Sequence, residues 1–390
     1  MTASDSDTLH LIALSLTKGM NAEIMRRMMK RGISPEEFMR CNSYELMVRL
    51  GTKERTIPLA SARSEALELA KKELQFVRKN GIKALAYGSE GYPQRLLQCY
   101  DAPVVLYVLG NTDLDSEHIL SIVGTRSASI RGVQFVSELV TELEQKGMDP
   151  VIISGLAYGI DTSAHEAALK NNLPTIAVVA HGLDTIYPTV NRNLARDIIR
   201  NGGSIVSEYP SATRPYRQRF LERNRIVAGL SDVTLIAESK LRGGAMSTAR
   251  IANDYNRLVG AVPGRYNDEL SEGCNYLIFK NIAALVSSAD QLVEMACWKP
   301  LKETKEVADQ PDIFAELDND KRKIYEAIDN FDNPASIDSI LSATGLTAHI
   351  LLPMLAELEF DDLIIKYPGN KYSTKSLFFD LVPKFSRSGY

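Results

Sequence analysis

Two kinds of hydrophobic pattern alternate along the chain, and the change from one to the other divides it. Over the first 64 residues, short apolar-rich runs at 9–16, 22–30, 35–40 and 43–49 are each broken by Gly or Pro, which predicts a small N-terminal helical domain over 1–64. Residues 64–79 read as a charged amphipathic helix, and 82–87 and 104–109 as strands around the Tyr92-Pro93 and Ala102-Pro103 breaks. Between 119 and 262, β-rich runs at 120–123, 151–154, 175–179, 204–207, 233–236 and 258–262 alternate with helical patterns near 131–146, 162–171, 191–200, 219–229 and 246–256. Strand–helix alternation at that spacing predicts an α/β domain over 65–297, a doubly wound parallel sheet with helices on both faces. Its ligands should bind beyond the carboxyl ends of the strands. Residues 299–312 (KPLKETKEVADQPD) are charged and bracketed by Pro300 and Pro311, which predicts a linker over 298–313. From Phe314 the order is helix 320–330, helix 336–344, a turn at Gly345, helix 348–359, strand 363–367 and a Pro-Gly-Asn hairpin turn. That is the order of a winged helix-turn-helix, placed over 314–378, with a frayed tail beyond it.

Composition narrows the function classes. The 390 residues are 45% hydrophobic and 24% charged, ordinary for a globular protein, and 45 Lys+Arg against 49 Asp+Glu leave a net charge of −4. Whole-chain electrostatics therefore advertise no nucleic-acid partner, and any basic surface must be local. No apolar run approaches the ~18 residues of a membrane span. Asp5 and Asp7 stand where a secretory signal would carry positive charge. Cys41, Cys99, Cys274 and Cys297 form no C-x-x-C pair. The expectation is a cytoplasmic protein without a membrane segment, a zinc site or a cofactor.

The loops after the central strands carry the candidate chemistry. Gly124-Thr125-Arg126 follows the first of them; glycine allows close backbone approach to a phosphate, helix-proximal N–H groups can receive it, and Arg126 supplies a forked charge. The loop lacks G-x-G-x-x-G, and a tight turn with a solvated arginine fits it equally. The next strand ends in Ser154-Gly155, followed by Asp161 and His165, which share a helix face. A Ser–His–Asp reading lacks the G-x-S-x-G elbow, so Asp161 reads as an N-terminal cap with His165 its packed neighbour. Glu238–Thr248 holds a Gly243-Gly244 turn with Ser247 and Thr248 at a helix start, a second anion cradle.

Residues 187–225 depart most from the rest. Arg192, Arg196, Arg200, Arg214, Arg217, Arg219, Arg223 and Arg225 stand against Asp197, Glu208 and Glu222, a local balance of +5, with Tyr187, Tyr209, Tyr216 and Phe220 interleaved. Cations that track a backbone and aromatic faces that stack bases are what single-stranded nucleic acid needs. Arg196 and Arg200 also fit a solvated, ion-paired helix face.

These pieces, in this order, resemble the DprA (Smf) family of bacterial DNA-processing proteins. The resemblance rests on Tyr92-Pro93 and Ala102-Pro103, IVGTR at 122–126, SGLAYGID at 154–161 with His165, and Gly182-Leu183-Asp184 with Tyr187-Pro188 and Asn191. It continues through Ser207-Glu208-Tyr209-Pro210, RNRIVAGLS at 223–231, VPG at 262–264 and GCNYLI at 273–278. It implies an extended Rossmann-type domain that binds single-stranded DNA without catalysis, forms a homodimer, protects incoming DNA and loads the RecA recombinase during natural transformation. Carried over motif by motif, the DNA contacts would be Gly124, Thr125, Arg126, Ser154, Gly155, Asn191, Arg217, Phe220, Arg223, Asn224, Arg225, Ser247 and Thr248, with Phe220 facing a base. The chain departs from the family at Phe220-Leu221, where Phe-Pro is usual, at Ala180-His181, where a glycine is common, and at Arg242–Ala245.

The sequence leaves two rivals. One is an enzyme that cleaves nucleoside monophosphates at the glycosidic bond; its P-G-G-x-G-T-x-x-E signature, laid on Gly243-Gly244, puts Arg250 where its glutamate should be. The other is an interaction scaffold. A homodimer is expected through 275–286, where Leu277, Ile278, Ile282 and Leu285 offer more apolar surface than one buried helix face requires, an ordinary core helix being the alternative. From 316 to 375, eleven acidic residues face six basic ones, and helix 348–359 contains no Lys or Arg, so the winged helix is not expected to read a DNA groove.

Overall fold

A computed structural model describes residues 5–53, 56–301, 319–331, 334–360, 363–367 and 369–374. The chain forms two compact units, 1–304 and 305–390.

The first unit opens with helices α1 (Asp5–Leu16), α2 (Ala22–Arg31), α3 (Pro35–Arg40) and α4 (Ser43–Leu50). Asn21, Ser34 and Asn42 cap the last three, each side chain accepting from the backbone N–H three residues on. Gly32 and Gly51 end α2 and α4 in the left-handed conformation that glycine adopts without strain. These helices are not a separate domain. The boundary expected at 64/65 falls inside α5 (Ala60–Lys79), and Leu14, Ile24, Met28, Phe38 and Leu46 share one apolar cluster with Leu96, Val108, Ile153 and Val206 of the sheet unit. Helices this short cannot bury enough surface alone and take the sheet unit as the other half of their core.

Then follow β1 (Lys83–Ala86), α6 (Gln94–Leu97), β2 (Val105–Gly110), β3 (Ile119–Val123), α7 (Ile130–Gln145), β4 (Val151–Ser154), α8 (Ile160–Lys170) and β5 (Thr175–Val178). The unit continues with α9 (Arg192–Arg200), β6 (Ser204–Ser207), α10 (Arg217–Leu230), β7 (Val233–Ile236), α11 (Ala245–Asp254), β8 (Leu258–Ala261), α12 (Glu272–Phe279), β9 (Ala284–Leu285) and α13 (Ala289–Ala296). The sheet has nine strands in the order β1-β2-β6-β5-β4-β3-β7-β8-β9. From β6 to β9 every pairing is parallel, as the alternation predicts. The two strands before β3 are antiparallel instead: β2 pairs β6 with Val108 opposite Val206, and β1 pairs β2. Periodicity carries no strand direction, so this extension of the sheet was beyond its reach.

The central strands are apolar on both faces because both are covered. Ile119, Val123, Val151 and Ile153 enter the cluster on one side, while Leu120, Ile122 and Ile152 enter the cluster beneath α7 and α8 on the other. The strand order reverses between β3 and β7, so the loops after these two strands diverge and leave a crevice at the carboxyl edge.

The predicted linker begins later than expected. Trp298 stacks on the buried His118 ring with centroids 4.6 Å apart, and Leu301 N–H donates to Gly147 O at 2.8 Å, so 298–301 belong to the first unit. The rest of the linker lies outside the described residues.

The second unit contains α14 (Asn319–Asp329), β10 (Ala335–Ser336), α15 (Ile337–Thr344), α16 (Ala348–Phe360), β11 (Ile364–Tyr367) and β12 (Lys371–Thr374). Its sheet has the order β10-β12-β11, and Ile324, Ile328, Ile340, Leu351, Leu355 and Tyr372 form its core. This is a winged helix. The two-residue β10, too short for a period-2 signal, is the element the pattern did not show.

Candidate functional site

A cleft of about 310 Å³ occupies the crevice where the strand order reverses, between the loops after β3, β4 and β7 and the first turns of α10 and α11. Gly124, Thr125, Arg126, Gly155, Phe220, Arg223, Asn224 and Thr248, eight of the residues singled out from sequence, line it. They come from four separate stretches of chain, and the topology brings them together.

Arg126 and Phe220 form its open rim. The Arg126 guanidinium lies over the Phe220 ring, 5.2 Å from the centroid, and Arg126 is exposed. Tyr187 also meets Phe220, ring centroids 5.9 Å apart at 56°, and is 43% exposed. In the sequence Tyr187 stands among the interleaved aromatics and in the Tyr187-Pro188 motif; its adjacency to Phe220 across 33 positions of chain has no sequence signal. Arg217, exposed at the start of α10, adds charge near Phe220 without lining the cleft.

Beneath the rim the cleft is braced. Arg223 is 4% exposed, and its Nη1 donates to Gly155 O at 2.7 Å and to Val178 O, which ties α10 to the ends of β4 and β5. Burial pushes the Arg223 guanidinium pKa below its usual range, with the nearby Asp161 opposing. Asp161 is held above the usual carboxylate range by burial, partly offset by Arg223, and accepts from Ala157 N–H at 3.4 Å. Gly155 has to be glycine: a Cβ there would sit 2.2 Å from the Arg223 guanidinium.

Several expected DNA contacts are therefore corrected to structural positions. Arg223 is buried and commits Nη1 to the Gly155 and Val178 carbonyls below the surface. Ser154 is fully buried and donates to Ile122 O at 2.7 Å. Asn191 is buried, with Nδ2 donating to Leu156 O and Thr162 Oγ1, both at 3.0 Å, which fixes the loop after β4. Arg225 faces another cavity altogether, paired with Glu208 and donating to Asp101 O at 2.6 Å. On α10 the spacing of two between Arg223 and Arg225 turns them to different sides. Ser247 donates to Gly244 O and accepts from Asn224 Nδ2 at 3.3 Å, bracing the cradle at the start of α11.

The first loop also differs from its expected role. The opening N–H groups of α7 are taken internally: Ser129 N–H donates to Glu238 Oε2 at 2.9 Å, Ser129 Oγ donates to Glu238 Oε1, and Gly132 N–H donates to Ser129 Oγ at 3.0 Å. A buried carboxylate thus occupies the helix N-terminus that the loop was expected to offer a phosphate. Gly124 serves close packing, since a Cβ would stand 2.5 Å from Ile160 Cγ1.

Neither enzymatic constellation is assembled. Ser154 points to Ile122 O, while His165 donates from Nδ1 to Thr175 Oγ1 at 2.7 Å and burial drives its pKa down to about 3. Arg250, at the position of the glycosidase glutamate, is an exposed cation on α11. The expected dimer segment divides: Leu277 is fully buried within its own subunit and is withdrawn as an interface residue, Ile278 and Ile282 are half-buried, and Leu285 is 45% exposed on the edge strand β9.

The architecture is an extended Rossmann-like unit with a cation–aromatic rim at its switch point, followed by a winged helix. The family model for DNA recombination-mediator protein A matches residues 83–296, and that for the DprA winged helix domain matches 308–370. The chain belongs to the DprA family. It is 42% identical to the DNA processing protein DprA of Streptococcus pneumoniae over 203 residues, covering 52% of this chain and 71% of that protein. Against the Bacillus subtilis DprA it is 38% identical over 219 residues, 56% and 73% of the two chains. Among solved structures, the S. pneumoniae DprA superposes with a TM-score of 0.62 at 30% identity, covering 75% of this chain and 98% of that one. A structure of DNA processing protein A from Helicobacter pylori, described for its single-stranded DNA binding mode, gives a TM-score of 0.50 at 35% identity, covering 55% and 95%. Among the described residues no single helix is long and apolar enough to cross a membrane.

Proposed function

We propose that this chain binds single-stranded DNA in the cleft between β3 and β7, without catalysis, and hands the strand to the RecA recombinase during natural transformation. The observation that carries the reading is the Arg126–Phe220 pair: a base can stack on the aromatic face while the guanidinium meets the adjacent phosphate. Gly124, Thr125, Gly155, Asn224 and Thr248 let backbone and small polar groups approach the strand from below. The single-strand mode described for the H. pylori relative supports the same ligand. Protection of incoming DNA follows from enclosing bases and backbone together.

The protein acts in this reading as a homodimer through the face carrying Ile278, Ile282 and Leu285, to which the exposed Phe279 adds apolar surface. Titration with short single strands and duplexes tests the ligand. Incubation with nucleoside monophosphates tests the enzymatic rival: release of free base would replace this reading. Recombinase loading is tested by whether the protein shortens the lag of RecA filament growth on a single strand.

A further inference from the structure

We propose that Tyr187 is a second base-contacting aromatic of the cleft rim, and that His181 is its positioning residue, holding the Tyr187 backbone through a hydrogen bond that only a neutral imidazole can accept. The inference rests on the single-strand reading above.

The geometry around His181 leaves its ring no choice of role. It is fully buried, Nδ1 lies 2.9 Å from Gly182 O, and Tyr187 N–H donates to Nε2 at 3.2 Å. A carbonyl can only accept and a backbone N–H can only donate, so the proton sits on Nδ1 and the Nε2 lone pair faces Tyr187. The anchor is itself fixed: Ser207 Oγ donates to His181 O at 2.7 Å, and Gly182 N–H donates to Thr213 O at 2.9 Å. The imidazole is therefore a strut between β6 and the backbone of the residue whose ring meets Phe220. Tyr187, 43% exposed yet packed against Phe220 with the rings tilted at 56°, is placed where a base stacked on Phe220 would meet it.

The strut depends on protonation. A proton on Nε2 would turn the acceptor into a donor facing a donor, and Tyr187 would be released. Burial chiefly holds the ring below its ordinary value near 6.5, and Arg223 on α10 pushes the same way; the backbone hydrogen bonds with Gly182 and Tyr187, and more weakly Asp184 on the ring's own loop, oppose it without reversing it. The held state thus binds fewer protons than the released one. The hold is complete above about pH 6.5 and is lost as pH falls through the lower value of the held ring.

The test is fluorescence anisotropy with labelled oligo(dT), whose base does not protonate between about pH 5 and 8, the range in which histidines titrate. Tyr187→Ala should weaken oligo(dT) binding roughly fivefold or more, the lower end of a lost base–aromatic stack, while an abasic deoxyribose-phosphate strand binds both proteins alike. Wild-type affinity should fall toward acid pH. His181→Gln, whose amide can donate to Gly182 O and accept from Tyr187 at every pH, should lack that fall, and His181→Gly should match Tyr187→Ala throughout. If a buried His181 variant does not fold, Tyr187→Ala decides, because it should flatten the same acid limb from the surface. Equal oligo(dT) affinities for Tyr187→Ala and wild type, or one pH profile shared by wild type, His181→Gln and Tyr187→Ala, overturn the inference. A loss in Phe220→Ala alongside either result leaves the single-strand reading standing, whereas no wild-type affinity for oligo(dT) overturns both.

Discussion

The guanidinium of Arg126 lies over the ring of Phe220, 5.2 Å from its centroid, although 94 positions of chain separate the two. One comes from the loop after β3 and the other from the first turn of α10, and they meet because the sheet reverses its strand order between β3 and β7. A cation seated over a partly exposed aromatic ring forms a unit that single strands can use and stacked duplexes cannot.

Phe220→Ala should therefore cost about 1–3 kcal/mol in single-strand affinity. Duplex binding, which offers only phosphates, should change little. Anisotropy titration with matched single-stranded and duplex oligonucleotides checks this. Equal affinity for both forms of DNA in the wild type would remove the stacking claim.

Arg126 and Arg225, both once candidates for phosphate contact, should now behave differently. Arg126→Ala should weaken all single strands alike and flatten the salt dependence by about 0.7 per lost contact. Arg225→Ala should leave the slope alone and instead strand Glu208, whose side chain is only 14% exposed. Breaking such a buried pair costs on the order of 3–5 kcal/mol of stability. Salt-series binding and urea melts of the two variants make the comparison.

His165 sets an acid limb of stability. Burial holds its ring near 3, against about 6.5 in an unfolded chain, so the folded state binds fewer protons. Its contribution is complete above about pH 6.5 and is lost as pH falls from there toward 3. Urea unfolding between those limits should show stability declining with acid, and less steeply in His165→Gln. An identical slope in the variant would assign the decline to other groups.

Replacing Ile278 by Glu should give a folded monomer in light scattering, because the side chain is half-buried beside the exposed Phe279 and Leu285. Leu277→Glu should unfold the protein, its side chain lying wholly in the core. A dimer that survives Ile278→Glu would move the interface elsewhere.

Removal of everything after Asp312 should leave single-strand affinity unchanged or raised. Helix α16 has no Lys or Arg, and apart from His349 its exposed positions, among them Leu352 and Phe360, carry no donors for bases. The surrounding excess of acid repels phosphate. A substantial fall in affinity on truncation would show that this unit contacts DNA.

Much of this protein is readable along the chain. The strands at 151–154, 204–207 and 233–236 stand as the pattern predicts, because a parallel strand buried on both faces must be a short continuous apolar run. The order of motifs from IVGTR to GCNYLI likewise identifies the family, since backbone approach at fixed loops demands the same small residues in the same sequence. The glycine at 124 is legible as a close approach, but that Ile160 is what approaches it is not, and neither is the packing of Arg223 against Gly155.

Only the tertiary structure divides the arginines. The charge count treated Arg217, Arg223 and Arg225 as equals, whereas the 3.6-residue helical period turns one to solvent, one beneath the cleft and one toward Glu208. It also decides that Glu238 fills the N-terminus of α7, that β1 and β2 join the sheet through antiparallel pairings, and that the first helices share the sheet's core. A sequence records which groups are present and their local period. Which of them finds its partner inside, and which is left for a ligand, depends on contacts between stretches far apart along the chain.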